Sequence, residues 1–145
     1  LRIYNRHFNS YIAFTRIIRC IPQCTVSADN ILYIISFRSV CYNGISIRST
    51  EEGRRAFAES CRKAVEEYHL DGIDIDWEYP CSDQAEIDCD SSDKQNYTKL
   101  LQALRDALGM NRIVSTAVGA GDYFPENTEM DKVAEIVDYV QLTST

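Results

Sequence analysis

The feature that most constrains this sequence lies between Leu70 and Pro80, where apolar and acidic residues alternate strictly from Ile73 to Glu78. One parity holds three apolar residues and the other holds three acids: Ile73, Ile75 and Trp77, against Asp74, Asp76 and Glu78. A period of two predicts a β-strand rather than a helix. Acidic residues are uncommon in strands. Three in register therefore argue against the simplest alternative, a solvated edge strand.

The acidic parity of this strand predicts unusual proton affinity. Successive carboxylates on one side of an ideal strand lie roughly 6.6–6.8 Å apart. Like charges at that spacing resist full ionisation, so we expect at least one acid to hold its proton above its ordinary pKa. A group of this kind is suited to general acid catalysis near neutral pH.

Residues 71–80 resemble the signature of family 18 glycoside hydrolases, the chitinase family. The family pattern Asp-x-x-Asp-x-Asp-x-Glu is matched by four residues: Asp71, Asp74, Asp76 and Glu78. The end of this stretch, Trp77-Glu78-Tyr79-Pro80, is typical of the chitinase branch. The resemblance implies hydrolysis of β-1,4-N-acetylglucosamine linkages with retention of configuration, assisted by the substrate's own acetamido group.

The resemblance also implies a role for each acid. Glu78 would protonate the leaving oxygen, and Asp76 would bond the acetamido nitrogen and steady the positive intermediate. Asp74, deeper in the fold, would share a proton with Asp76. Asp71 has the other parity, so we expect a structural role for it. Three aromatic residues are candidates for stacking on sugar rings: Tyr79, Tyr123 and Phe124. No cofactor and no metal ion is expected.

The order of predicted elements indicates an α/β fold with a parallel sheet. The predicted strands are Phe8–Phe14, Ile31–Phe37, the acidic strand, Arg112–Val118 and Asp138–Leu142. The first long helix is predicted to begin at a capping box of Ser49 and Glu52 and to bury Phe57, Cys61, Ala64, Val65 and Tyr68. The second is predicted to be capped by Ser92 with Gln95, to bury Tyr97, Leu100, Leu101, Leu104 and Leu108, and to end at Gly109. A short helical stripe follows: Met130, Val133, Ala134 and Val137.

The resemblance implies a (β/α)8 TIM barrel, which needs roughly 250 residues. This chain has 145. Matched to the family it runs from about strand 2 to strand 6, so we treat residues 1–145 as one partial family 18 catalytic domain. An unclosed sheet exposes two strand edges, which predicts self-association.

Two segments depart from the family pattern and leave other functions open. Ser36-Phe37-Arg38-Ser39 lacks both glycines of the family's Ser-x-Gly-Gly turn, and Thr143-Ser144-Thr145 replaces the methionine and tyrosine of the sixth strand. One alternative is a chitinase-like lectin that binds chitooligosaccharide without cutting it, and another is an inactive truncated product. A third is an endo-N-acetylglucosaminidase acting on N-glycan cores. The intact acids favour catalysis, and the Trp77–Pro80 ending favours chitin.

Charge and hydropathy exclude some partners. The formal net charge is −7, which argues against binding to nucleic acid or to an anionic membrane. A neutral polysaccharide such as chitin fits this charge. The longest apolar run, Ile31–Phe37, is too short to span a bilayer. Residues 1–9 lack the apolar core of a signal peptide, so we expect a mature, trimmed or excised sequence.

Six cysteines in so short a chain predict an oxidising, extracellular environment. They allow fifteen pairings, among which we favour Cys81–Cys89. Cys61 lies on an apolar helical stripe and is interpreted as a buried hydrophobe. Zinc at Cys20 and Cys24 is a weaker alternative, because no histidine or second close pair accompanies them. Asn96-Tyr97-Thr98 is a glycosylation sequon. The spacing of Asp88 and Asp90 is only faintly like a calcium loop, and a solvated loop is favoured.

Overall fold

The computed structural model describes residues 2–5, 33–36, 41–42, 45–46, 49–77, 80–82 and 89–143, with side chains for those between residues 49 and 142. The strands in this part of the chain are β1 (Arg2–Asn5), β2 (Tyr33–Ser36), β3 (Cys41–Tyr42), β4 (Ile45–Ser46), β5 (Gly72–Asp76), β6 (Ile113–Gly119) and β7 (Tyr139–Thr143). The helices are α1 (Glu51–Glu67), α2 (Asp93–Leu108), α3 (Tyr123–Glu126) and α4 (Met130–Ile136).

Five strands form one parallel sheet in the order β1-β7-β6-β5-β2, and β3 and β4 form a small antiparallel hairpin. Leaving out the β3–β4 hairpin, β2, β5, β6 and β7 follow one another in the chain and lie side by side in the sheet. This is the arrangement produced by repeated β/α units. The predicted α/β class with a parallel sheet is confirmed, and among the described strands the sheet is open.

The position of β1 was not predicted. It pairs in parallel with β7, at the edge opposite β2, although it comes first in the chain. The unpaired edge of a parallel strand carries N–H and C=O groups that need partners, and β1 satisfies those of β7. The predicted strand at Phe8–Phe14 lies outside the described residues.

The core lies between the sheet and the helices. Helices α1 and α2 pack against each other and contact β5 and β6. Of the residues predicted to line α2, all are buried: Tyr97, Leu100, Leu101, Leu104 and Leu108. The helix ends at Gly109 in the left-handed region, with φ of 72°, as the glycine predicted. Cys61 is buried in the same core, and burial raises the pKa of its thiol.

The ends of α1 differ from the prediction. The N-cap is Thr50, whose hydroxyl accepts a hydrogen bond from the Gly53 N–H at 3.1 Å; the prediction of Ser49 was wrong by one residue. Thr50 has extended backbone angles and its carbonyl accepts from the Arg54 N–H, as an N-cap does. Tyr68, predicted to be buried, is the C-cap and is 38% exposed.

The start of α2 is also built differently. Ser92 occupies the N-cap position, but its hydroxyl accepts from the Asn96 side chain at 3.0 Å rather than from the backbone. Instead, the Asp93 carboxylate accepts from the Asp90 N–H. Asn96 is buried and its side-chain oxygen accepts from Arg54, so the sequon amide is not available for glycosylation in the folded chain.

Several predicted features lie outside the described residues or are absent from them. Cys20, Cys24, Phe37–Ser39, Asp88 and the last two residues are not described. Cys81 and Cys89 are free thiols in this structure, so the predicted disulfide between them is not formed here. Within the described ranges, no helix has the length and apolar character needed to cross a membrane.

Arg105 connects α2 to the strands that follow it. The buried guanidinium donates hydrogen bonds to the carbonyls of Ile136, Gly109 and Arg112, and to Asp138 Oδ2 at 2.6 Å. The same Asp138 oxygen accepts from the Val114 N–H at 2.9 Å. One arginine therefore fixes the relative position of β6 and β7, which carry part of the polar sheet face described below.

We expect Arg105→Met to lower the free energy of unfolding by about 3 kcal/mol. We expect a loss near the lower end of the range for breaking a buried ion pair, because Asp138 is partly exposed. Urea denaturation measures the free energy of unfolding. Arg55→Met, on the exposed face of α1, is the control and should change stability by less than about 0.5 kcal/mol. Equal effects of the two substitutions would contradict the role given to Arg105.

Gly72, at the start of β5, is required by the close approach of β6. A Cβ atom at this position would lie 2.0 Å from the Ile113 carbonyl oxygen, which belongs to rigid sheet backbone. We expect Gly72→Ala to cost at least about 1–3 kcal/mol in thermal or urea unfolding. Gly121→Ala, which meets no heavy atom within 4 Å, should be close to neutral, and a neutral Gly72→Ala would refute this packing.

Candidate active site

The alternation of β5 is realised as two chemically different faces of the sheet. Ile73, Ile75 and Trp77 are between 0% and 4% exposed and belong to the hydrophobic core. Asp74 and Asp76 have the opposite parity. In the register with β6, Asp74 lies opposite Ser115 and Asp76 opposite Ala117. On the far side of β6, Tyr139 of β7 lies beside Ser115, and Gln141 lies beside Ala117. The acids therefore share one polar face of the sheet with these residues.

An aromatic cluster fixes the core side of β5. Tyr97 makes edge-to-face contacts with Trp77 and with Phe124, each at a centroid distance of 5.8 Å. Its hydroxyl is hydrogen-bonded to the Thr116 hydroxyl, which in turn donates to the Ile75 carbonyl at 2.8 Å. Because the Thr116 hydrogen is used there, Tyr97 is the donor to Thr116. This chain of bonds joins α2, β6 and β5 directly behind the acidic face.

Asp74 is the most deeply buried acid of the motif, with 0% exposure. The Ser115 hydroxyl donates a hydrogen bond to Asp74 Oδ1, and Asp74 Oδ2 has no hydrogen-bond partner among the described residues. Burial raises the pKa of Asp74 above its ordinary value; the Ser115 hydroxyl and the nearby Gln141 amide act in the opposite direction. The expectation of an acid with raised proton affinity is met at Asp74, but the main cause is desolvation rather than repulsion between carboxylates.

Asp76 lies two residues nearer the carboxyl end of β5 than Asp74 and is half-buried. The depth order expected from the resemblance, with Asp74 below Asp76, is therefore the order in the structure. Catalytic residues of parallel β/α folds stand at the carboxyl ends of strands, and Asp76 is the last residue of β5. A buried acid whose pKa is raised, beneath a more accessible acid on the same face, is an arrangement in which the two groups can exchange a proton.

The remaining predicted site residues divide into two groups. Glu78 and Tyr79 lie outside the described residues, between the buried residues Trp77 and Pro80. Tyr123 is half-buried, and its hydroxyl donates to the Pro80 carbonyl at 2.6 Å. Phe124 is 2% exposed and packs on Tyr97, so it has no face to offer a sugar. The structure thus places Phe124 in the core, contrary to the expectation.

Ser115 and Gln141 were not recognised as site residues from the sequence. Ser115 lies within a strand that was predicted, and its hydroxyl is buried against Asp74. The missing information was the register between β5 and β6, because a slip by one residue would have turned Ser115 to the other face. The alternation of polar residues in the sequence does not by itself identify Ser115 as a partner of Asp74.

The segment after β5 borders an open groove of about 310 Å³. It is lined by Cys81, Cys89, Asp90, Ser91, Lys94 and Asn127. Cys81 has a positive φ of 63°, which is unusual for a residue with a side chain. Burial raises the pKa of its thiol. Within the described part of the chain, no three histidine, cysteine or acidic residues are grouped so as to hold a metal ion.

Comparison with known proteins identifies the family of this chain. The profile of the family described as "Glycosyl hydrolases family 18" matches residues 42–145. Chitinase A1 of Niallia circulans is 37% identical over 106 residues, covering 66% of this chain and 15% of that protein. Solved structures are also similar. A family 18 N-acetylglucosaminidase from Paenibacillus barengoltzii has 45% identity and a TM-score of 0.64, over 67% of this chain and 31% of that one.

The chitinase domain of the spore coat protein CotE from Clostridium difficile has 33% identity and a TM-score of 0.70, over 79% of this chain and 33% of that chain. This chain therefore spans about a third or less of the length of these relatives. The region of similarity includes the acidic strand and the helices that support it. The chain belongs to family 18 of the glycosyl hydrolases.

Proposed function

We propose that this chain supplies the acidic face of an extracellular hydrolase that cleaves β-1,4 linkages between N-acetylglucosamine units of chitin. One observation carries the proposal. Asp74 is fully buried beneath the more accessible Asp76, on one face of β5, within the acidic motif of the family. Burying a carboxyl group is costly unless it gains a partner or keeps its proton. A purely structural role would therefore not favour an aspartate at the position of Asp74.

In the proposed mechanism Glu78 is the general acid. It protonates the oxygen that leaves the anomeric carbon, and the acetamido oxygen of the same sugar attacks that carbon from the other side. Water then opens the cyclic intermediate, with Glu78 taking back a proton, so the product keeps the β configuration. Asp76 accepts a hydrogen bond from the acetamido nitrogen and stabilises the positive charge of the intermediate.

Asp74 serves as the internal proton partner of Asp76. Its burial favours the neutral acid, which can donate to Asp76 and keep that carboxylate ionised and aligned. The Ser115 hydroxyl holds one Asp74 oxygen and so leaves the other free to turn toward its neighbour. This division of roles between a buried and an accessible acid follows from their different environments.

The substrate class is inferred from the relatives and from the chain's charge. The similar proteins include a chitinase and an N-acetylglucosaminidase, which by name act on chitin or on N-acetylglucosamine. A net charge of −7 suits a neutral polysaccharide better than an anionic polymer. An endo-N-acetylglucosaminidase acting on N-glycan cores is compatible with the same acids, and Trp77–Pro80 favours chitin over it.

A chitooligosaccharide-binding lectin, or a protein with neither activity, is the second candidate. The observation that favours it is in the sequence: in the resemblance to the family, Thr143 stands in place of the methionine and Thr145 in place of the tyrosine. Loss of that tyrosine would weaken the hold on the acetamido group. A lectin would bind N-acetylglucosamine oligomers without releasing products, and an inactive protein would do neither, so measuring binding and product release together separates the three possibilities.

We expect Glu78→Gln to reduce turnover of a chromogenic chitobioside by at least about 100-fold, the lower end of what a general acid contributes. Binding of the oligosaccharide, measured by calorimetry, should be nearly unchanged because the amide has the same shape. Glu67→Gln, at the exposed end of α1, is the matched control and should keep full activity. Turnover retained by Glu78→Gln would remove the assignment of Glu78 as the acid.

Asp74 also predicts a dependence of stability on pH. Its pKa is raised in the folded chain, so it contributes stability below its unfolded pKa of about 3.9 and loses that contribution as the pH rises through the folded pKa. Asp74→Asn should therefore stabilise the protein at pH 7, by about 1–3 kcal/mol, while lowering hydrolytic activity.

The gain in stability should vanish below about pH 4, where Asp74 is neutral in both states. Urea denaturation at pH 7 and at pH 3.5 measures both ends of this range. Asp106→Asn, on the exposed face of α2, is the control and should show no such gain. If Asp74→Asn does not raise the free energy of unfolding at pH 7, the account of Asp74 as a buried acid that retains its proton is contradicted.

A further inference from the structure

Gln141 reaches the acidic face of the sheet from β7, two strands away from β5. In the sheet register Asp76 lies beside Ala117, and Ala117 lies beside Gln141. Side chains that are in register on neighbouring strands project to the same face. The Gln141 side chain therefore shares the face that carries Asp74 and Asp76. Because Ala117 has only a methyl group, it leaves room for the longer Gln141 side chain to extend across β6.

Two buried polar atoms on this face are complementary. Asp74 Oδ2 and Gln141 Nε2 are both buried, and neither has a hydrogen-bond partner of full geometry among the described residues. The carboxyl oxygen is an acceptor and the amide nitrogen is a donor. Buried polar groups are rarely left without a partner. The Gln141 amide is also near enough to Asp74 to lower the pKa of that carboxyl against the larger effect of burial.

The second oxygen of Asp74 is already occupied. The Ser115 hydroxyl donates to Oδ1, which makes Oδ1 the carbonyl-like oxygen of the neutral acid. A neutral carboxyl group has a single O–H, so the Asp74 proton lies on Oδ2. An oxygen that donates its own proton keeps lone pairs that can accept a hydrogen bond. Oδ2 can therefore accept from Gln141 in both the neutral and the ionised state of Asp74.

The ionisable groups around Asp74 do not supply a positive charge to it. Asp76 lies on the same face, Tyr139 lies beside Ser115 in the register, and Tyr97 lies on the core side, where burial raises the pKa of its phenol. On the β2 side, Ile34 is the register partner of Asp74. Among the described residues, the effects that favour the ionised form of Asp74 come from the Ser115 hydroxyl and the Gln141 amide.

We propose that Gln141 is a positioning residue for Asp74: its amide donates to Asp74 Oδ2 from β7 and thereby keeps the Asp74 proton directed toward Asp76 and shared with it. The proposal rests on the proposed function, in which Asp74 is the proton partner of Asp76. When the shared proton crosses, the O–H bond of Asp74 breaks, one forms on Asp76, and the charge of the pair is unchanged. Without the amide, ionised Asp74 would be buried with one oxygen unpaired, which disfavours sharing.

Two measurements on the purified protein test this role. The first is a carbon-13 NMR titration of the Asp74 side-chain carboxyl, assigned by its loss in Asp74→Asn. The second is steady-state turnover of a chitin oligosaccharide. The test variant is Gln141→Met, which keeps an unbranched side chain and removes the amide. Gln95→Met, on the exposed face of α2, is the matched control.

In the wild-type protein we expect Asp74 to titrate above the ordinary aspartate value of about 3.9. In Gln141→Met the titration should rise further, by about one pH unit, because a donor to the carboxylate has been removed. That change corresponds to a roughly 10-fold weaker tendency to release the proton. We expect kcat to fall by about the same factor, with KM within about twofold. Gln95→Met should change neither quantity.

A merely structural role for Gln141 would lower the melting temperature without moving the Asp74 titration or dividing kcat from KM, and that result would overturn the proposal. Should Gln141→Met not fold, Gln141→Asn keeps the amide but withdraws it by one carbon. Its Asp74 titration should also rise, and an unchanged titration there would overturn the positioning role.

The outcomes separate this proposal from the proposed function. If the wild-type protein cleaves the oligosaccharide and Gln141→Met leaves the Asp74 titration unchanged, only the positioning role is overturned. If the wild-type protein does not cleave the oligosaccharide, the proposed function fails, and the catalytic part of the positioning role fails with it. In that case the titration still decides whether the Gln141 amide acts on Asp74.

Discussion

The structure depends on one constraint: β5 must bury its apolar side against the helices while carrying carboxylates on its other side. Ile73, Ile75 and Trp77 satisfy the first requirement, and the bonds from Tyr97 through Thr116 to the Ile75 carbonyl secure it. A slip of one residue would reverse every side chain. It would place acids in the core and tryptophan on the polar face, so the core and the acidic face are specified together.

The same constraint makes the acidic face costly. Asp74 is buried with one oxygen bonded to Ser115 and with its pKa raised. The surrounding fold offsets this cost through packing around Tyr97 and through the hydrogen bonds of Arg105, which hold β6 and β7 beside β5. Residues that destabilise a fold in a defined place are typical of functional sites. Here the cost is concentrated where the family motif requires acids.

Much of the architecture could be predicted because the relevant patterns are local. The period of two gave the correct faces of β5, and the helical spacing gave the buried stripe of α2 and its stop at Gly109. The start of α1 was misplaced because Ser49 and Thr50 are both good capping residues, and only backbone angles distinguish them. Phe124 was misassigned because an exposed aromatic and a core aromatic look alike in sequence. Its contact with Tyr97, 27 positions earlier in the chain, is a tertiary one.

The contacts in and beside the site that were not predicted all join distant segments of the chain. Ser115 reaches Asp74 from the next strand, and Tyr123 reaches Pro80 across 43 positions. The central claim is that these contacts present a set of acids to a sugar whose acetamido group takes part in the reaction. Proton NMR of the first product released from a chitin oligomer tests this most directly. The account predicts that the β-anomer appears first and only later equilibrates with the α-anomer. Initial release of the α-anomer would contradict it, as would an oligomer that is never cleaved.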